Sequence, residues 1–268
     1  MKLILSLIIL LSSFISYAQD QKTYFSLYDH KVYSLKSKGV KDFVVDVKSS
    51  DLTERVNNQK IFGNVKDLIF RVHWTLAPER IAVDIIGLPE GFFEAKNELK
   101  ASFFPLLDNL LPMTIEQRFP GYKFTPGKIP REFIATDSSG LAPIPRYELK
   151  FDELDRVSEI TGQKPVGSWN MNWIYEKKAF SEGRWVVSQI TVTNSEGGQT
   201  VKSSRKLNYG SAQGIGVLNE VVLTVEQIGE KTIRTQESIE FTNYKINTGE
   251  GMRYFLNDLP APAPKQTP

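Results

Sequence analysis

The sequence predicts an α+β fold: one large, curved antiparallel sheet with a few helices covering its concave face. Three observations carry that expectation. Strand-like alternation of apolar and polar residues recurs through the second half of the chain, punctuated by glycine turns. A pair of alternating segments stands earlier, around residues 69–86. Between these regions lies one helix with a broad apolar face, and a helix of that kind needs an apolar surface to cover.

The elements follow in order. Lys2, the apolar run Leu3 to Ile15 and the small-residue end Ser16-Tyr17-Ala18 have the form of a signal peptide over residues 1–18, cleaved after Ala18. Tyr24, Leu27, Tyr28, Val32 and Leu35 share a helical stripe, so a helix is expected over 24–38, ended by Gly39. Phe43 to Val47 reads as a strand, and Asp51 to Ile61 as a short polar helix. Phe70, Val72 and Trp74 alternate with Arg71 and His73, and Ile81, Val83 and Ile85 with Arg80, Ala82 and Asp84. The two segments turn at Ala77-Pro78 and present one apolar face. Phe93 to Leu111 is the apolar helix, with Phe103, Phe104, Leu107, Leu110 and Leu111 on its face. Pro105 predicts a kink or a break within it.

Beyond Met113 the pattern is strands and turns throughout. Tyr147, Leu149 and Phe151 precede the acidic turn Asp152 to Asp155. Trp169, Met171, Trp173 and Tyr175 alternate with polar neighbours. Strands from Trp185 and from Val217, and a last one through Ile239 and Phe241, are separated by the turns at Glu182-Gly183, Glu196-Gly197-Gly198 and Gly229. Residues 19–257 are expected to form a single domain, and the Pro-rich residues 258–268 an extended end.

Composition narrows the function. Of 268 residues, 33 are Lys or Arg and 31 Asp or Glu, a net charge of +2, which gives no electrostatic footprint for nucleic acid or an anionic membrane surface. The chain has no cysteine, which excludes disulfides, thiolate metal sites, a cysteine nucleophile and lipid modification after the leader. No second apolar run is long enough to cross a bilayer, so no transmembrane segment is expected after cleavage.

No catalytic constellation emerges. The two histidines, His30 and His73, lie in different elements without metal-ligand spacing, and His73 reads as a solvent-facing or rim residue. Asp152, Glu153 and Asp155 are neighbours in one turn, which rarely places two carboxylates across a reaction centre. Gly210, Gly214 and Gly216 lack the lysine of a phosphate loop and read as a hairpin, and no GxSxG is present. The expectation is a protein that is not an enzyme and uses no cofactor or metal.

A curved sheet with apolar inner positions and an apolar covering helix either packs dry or holds a ligand. The candidate cavity residues are Phe70, Val72 and Trp74 on the sheet, Phe103, Phe104, Leu107 and Leu111 on the helix, and Trp173 and Trp185 further along. Taken singly, each tryptophan reads as ordinary core; the set together is what suggests a cavity.

The order of elements, from the leader through Lys38-Gly39-Val40 and Asp42 to Asp46, the Phe70–Trp74 and Pro78–Asp84 pair, Tyr147 to Asp152, Gly183-Arg184-Trp185, Ser188-Gln189-Ile190 and Phe241 to Asn247, resembles the superfamily of periplasmic outer-membrane lipoprotein carriers and lipoprotein-sorting proteins. The resemblance spans Tyr24 to Asn257. It implies a half-open β-barrel whose helices close a hydrophobic cavity for a lipid or a lipoprotein acyl chain. It also implies a cavity arginine, for which Arg71 and Arg80 are the candidates as polar anchor. The expected function is a soluble periplasmic carrier of such a chain. The alternative is an envelope sensor or interaction domain that binds a protein partner on the same fold, with the Pro-rich end as a tether.

Overall fold

The computed structural model describes residues 21–257. The expected leader and the Pro-rich end lie outside the described residues. Five α-helices and twelve strands occur among the described residues, and the strands form one sheet of antiparallel pairs. In chain order they are α1 (Gln21–Lys31), β1 (Asp42–Ser49), α2 (Leu52–Asn58), β2 (Ile69–Leu76), β3 (Glu79–Ile86), α3 (Phe93–Leu110), α4 (Ile115–Arg118), β4 (Tyr122–Pro126), β5 (Glu132–Asp137), β6 (Arg146–Phe151), β7 (Val157–Gln163), β8 (Ser168–Lys177), β9 (Trp185–Glu196), β10 (Gln199–Ala212), β11 (Ile215–Ile228), β12 (Thr232–Ile246) and α5 (Glu250–Asn257). The strand order is β3-β2-β1-β12-β11-β10-β9-β8-β7-β6-β5-β4, a meander whose one non-sequential junction is β1 beside β12.

The chain divides into two compact units. One comprises residues up to Tyr33 with Met113–Ser204 and Val225–Arg234. The other comprises Ser34–Pro112, Arg205–Thr224 and Thr235 onward.

The first unit holds α1, α4 and β4–β9. Helix α1 packs on an aromatic cluster: the Phe25 ring lies 5.2 Å from Phe133, 4.9 Å from Phe124 and 6.1 Å from Phe151, mostly edge to face. The helix is shorter than its stripe predicts. It stops at Lys31 because Val32 bridges Trp185 and the Tyr33 N–H donates to the Trp185 carbonyl at 2.8 Å. The groups that would continue the helix are thus committed to β9. The rest of the predicted helix is a single 3-10 turn, Lys36–Lys38, in the second unit. Gly39, at φ +72°, ends it as expected.

Helix α4 was not expected. It is one turn long and closed by a reciprocal capping box, with Thr114 Oγ1 accepting from the Gln117 N–H at 3.2 Å and Gln117 Oε1 from the Thr114 N–H at 3.0 Å. The acidic turn is structural: Asp152 accepts from the backbone of Leu154 and Arg156 and pairs with the Arg156 guanidinium. Asp155 pairs with Lys31 at 2.7 Å and lies 3.4 Å from Arg131.

The second unit contains β1–β3, parts of β10–β12, and α2, α3 and α5. Register sets its two faces. Phe43 pairs with Trp74, Val45 with Val72 and Val47 with Phe70, and all six are buried. Asp42, Val44 and Asp46 pair with Thr75, His73 and Arg71 on the opposite face. The apolar face takes α3, whose Phe103 stacks on Phe70 and whose Leu107 and Leu110 are buried with it. Burial of each such side chain contributes about 1.5–3 kcal/mol. Helix α3 runs unbroken through Pro105, where a kink or break is predicted. Asn109 on the same helix is buried, and neither its amide nitrogen nor its oxygen has a hydrogen-bond partner among the described residues.

The opposite face takes α5. Asp42 reaches from β1 to accept the N–H groups of Gly249 and Gly251 at 3.2 and 3.1 Å, so a carboxylate 209 positions away caps this helix. Beneath α5 sits a polar cluster. Arg71 grips Asp46 through two bonds of 2.7 and 3.0 Å, and Asn243 adds a third at 3.1 Å. His73 stacks on Tyr254 with centroids 4.0 Å apart, and the Tyr254 hydroxyl donates to Asp84. His73 is therefore buried, at 9% exposure, rather than on a rim, because an unpredicted helix covers it.

Candidate binding cavity

The second unit has a cavity of about 250 Å³ between α3 and the apolar face of the sheet. Its sheet wall is Val47 on β1, Phe70 on β2, Leu223 on β11 and Ile239 on β12. Its helix wall is Phe103, Pro105 and Leu106 on α3, with Leu52 from α2. Each element faces the cavity for a reason legible in its pattern. Strand alternation sends Phe70 to the same side as Val47, and helical spacing returns Leu106 to the side of Phe103.

One margin of the cavity is polar. Glu237 on β12 accepts from Arg55 on α2 through two bonds of 3.2 and 3.1 Å, and from the Ser49 hydroxyl. Arg205 on β10 adds a second guanidinium to the lining. The site therefore combines an apolar trough with an arginine-rich margin. Chemically, that suits an apolar chain carrying a polar head.

The expected cavity residues separate accordingly. Phe70 and Phe103 line the cavity and touch each other. Val72 and Trp74 lie on the same face as Phe70 but are packed away, Trp74 stacking on Phe43 at 5.3 Å. Leu107 is buried in the helix–sheet contact without reaching the cavity, Leu111 is half-buried just past the helix end, and Phe104 faces outward at 47% exposure. Neither anchor candidate serves the cavity. Arg71 is on the opposite face, held by Asp46, whose carboxyl it keeps below the usual carboxylate range. Arg80 is exposed beside the β2–β3 turn.

Trp173 and Trp185 belong to the first unit. Trp173 is buried under the Arg118 guanidinium, 5.9 Å from its ring. Trp185 borders a different cavity of about 490 Å³, with Lys31, Lys177, Arg184 and the acids Glu153, Asp155 and Glu182 around it. Arg156 and Lys177 each stand 4.1 Å from the Trp185 ring. That cavity is charged and has no apolar trough.

Arg55, Arg205 and Glu237 are absent from the sequence-level candidates. Only the register of β12 against β1 brings Glu237 to Arg55, 182 positions apart, and no local pattern announces it. No group of three or more His, Asp or Glu side chains suited to a metal occurs among the described residues. No helix among them is long and apolar enough to cross a membrane.

Compared with known proteins, the chain matches no family model, no curated protein and no solved structure.

Proposed function

We propose that the chain is an exported, periplasmic binding protein that holds a lipid or lipoprotein acyl chain, as a carrier of the half-open-barrel kind that its element order resembles. The observation that carries the reading is the trough walled by Phe70 and Phe103, a place where helix and sheet meet face to face and still leave room. Each methylene buried there contributes about 0.8 kcal/mol, so a chain of modest length binds without polar contacts. Neither histidine borders the trough, Glu237 is engaged with Ser49 and Arg55, and the Ser102 hydroxyl donates to the Leu99 carbonyl. That favours binding over catalysis.

The test is native mass spectrometry of protein purified from its own cell envelope, with titration of a fluorescent fatty acid. A bound acyl species and saturable probe binding that is lost in Phe103→Asp but kept in Phe104→Asp support the reading. Absence of both signals sinks it.

The second reading, an envelope sensor or interaction domain, draws on the outer side of α3. Phe93 is 77% exposed there, and Phe104, one helical stripe along, 47%. Recovery of one stoichiometric partner by a chain with an empty trough would favour it.

A further inference from the structure

The trough of the second unit ends blind, and its depth limits what it takes. On β1, β2 and β12 the apolar lining stops at Val47, Phe70 and Ile239. One step further along the same face of these strands stand Val45, Val72 and Phe241, which do not line the cavity and are each at most 1% exposed. On α3, Leu107 and Leu110 are likewise buried outside the lining. Where the two walls meet, the Phe70 and Phe103 rings stack with centroids 4.4 Å apart, which leaves no gap for a chain to pass between helix and sheet.

The other end is polar and open. Arg55, 56% exposed, is held there by Glu237, which also takes the Ser49 hydroxyl. A chain entering past this margin leaves the ion pair as it is, because a polar head stays outside in water. The volume between the two ends is about 250 Å³. That is below the roughly 300–1,000 Å³ of pockets for drug-sized ligands. At about 30 Å³ per carbon, the share of liquid volume that a water of similar size takes, it holds on the order of eight carbons.

We propose that the trough takes one medium-length acyl chain, of about eight to ten carbons, methyl end first against Phe70 and Phe103. A second chain, or the remainder of a longer one, stays outside. This rests on the acyl-binding reading and narrows it: single-chain ligands are admitted, and lipids or lipoproteins with two or three long chains are not held whole.

The experiment is calorimetric titration of the full chain with straight-chain alkanoates from hexanoate to tetradecanoate, each below its micellar concentration. The head is common to the series, so differences report the chain alone. Affinity is expected to rise about fourfold per methylene as far as decanoate, and then to stay within about threefold up to tetradecanoate. Dioctanoyl phosphatidylcholine should bind within about threefold of its single-chain octanoyl counterpart, because the second chain buries no further methylenes. Val47→Phe fills the pit and should move the break about two carbons shorter, with the urea midpoint reporting that the variant is folded. A rise that continues unbroken to tetradecanoate, a two-chain lipid that gains more than threefold, or an unmoved break in a folded Val47→Phe overturns the depth limit and leaves acyl binding standing. Should Val47→Phe fail to fold, the alkanoate series and the two-chain lipid decide the matter on the parent chain. Absence of binding by every alkanoate overturns both readings.

Discussion

Phe70 on β2 and Phe103 on α3 stack almost parallel, with ring centroids 4.4 Å apart and planes 7° from parallel. One contact thereby serves two ends, fastening helix to sheet and forming part of the trough wall. Phe104, the next residue, does neither. Phe103→Ala is expected to cost about 3–5 kcal/mol, because it removes a packed ring and enlarges a void. Phe104→Ala should stay within about 0.5 kcal/mol of the parent. Urea unfolding of the two variants measures the contrast, and equal costs would contradict this account of the helix face.

The Asp42 cap makes the start of α5 a sensitive point. Asp42→Ala strands the N–H groups of Gly249 and Gly251 and should cost about 1–3 kcal/mol. At Gly251 an added methyl would lie 2.5 Å from the Trp74 carbonyl oxygen and 2.9 Å from that of Phe43, closer than real contacts allow. Gly251→Ala is therefore expected to cost about 1–3 kcal/mol as well. A thermal scan of each variant checks both numbers. Unchanged melting would mean that α5 is not docked against β1 and β2.

Asn109 gives the opposite sign. A buried amide without hydrogen bonds carries a desolvation cost of about 1–3 kcal/mol, so Asn109→Leu should stabilise the protein by a share of that amount. A lower denaturant midpoint in the variant would show that the amide has a partner the present contacts do not include.

His73 predicts how stability follows pH. Burial holds its pKa below the ordinary value, against the attraction of Asp84 at 3.4 Å. The unfolded chain therefore takes up this proton at a higher pH than the native one. The contribution to stability is complete above about pH 6.5 and is lost as the pH falls below it. Asp46, kept low chiefly by its hydrogen bond to Arg71, titrates in a more acidic range and does not blur this window. Denaturant midpoints from about pH 7.5 to pH 5.5 should fall in the parent and fall less in His73→Gln. Parallel profiles would remove His73 from the explanation.

Elements with strong local patterns were legible. The alternation in β2 fixed both its existence and its two faces, and the apolar stripe of α3 fixed the side that meets the sheet. Phe104 shows the limit: it is as apolar as Phe103, and only the rotation of the helix on the sheet decides which ring is buried. Beyond Met113 strands were expected in general, but β4 had no pattern of its own, because Tyr122 to Pro126 is largely exposed and leaves little apolar signature. Helix α4 did carry a readable sign, Thr114 followed three residues later by Gln117. Helix α5 did not, since its cap comes from β1. The arginine margin was hidden for the same reason: Arg55, Arg205 and Glu237 meet only through long-range strand pairing.

The junction of β1 with β12 also orders events in time. A ribosome makes β1–β3 well before β12 and α5, yet the second unit needs both sets to close. Until β12 emerges, β1 presents a bare edge of backbone N–H and C=O groups, and Asp42 has no helix to cap. Strands β1–β3, complete at Ile86, thus wait for a partner that begins only at Thr232. Such a chain depends on prompt completion or on protection from chaperones, and its failures should be aggregates seeded at that edge.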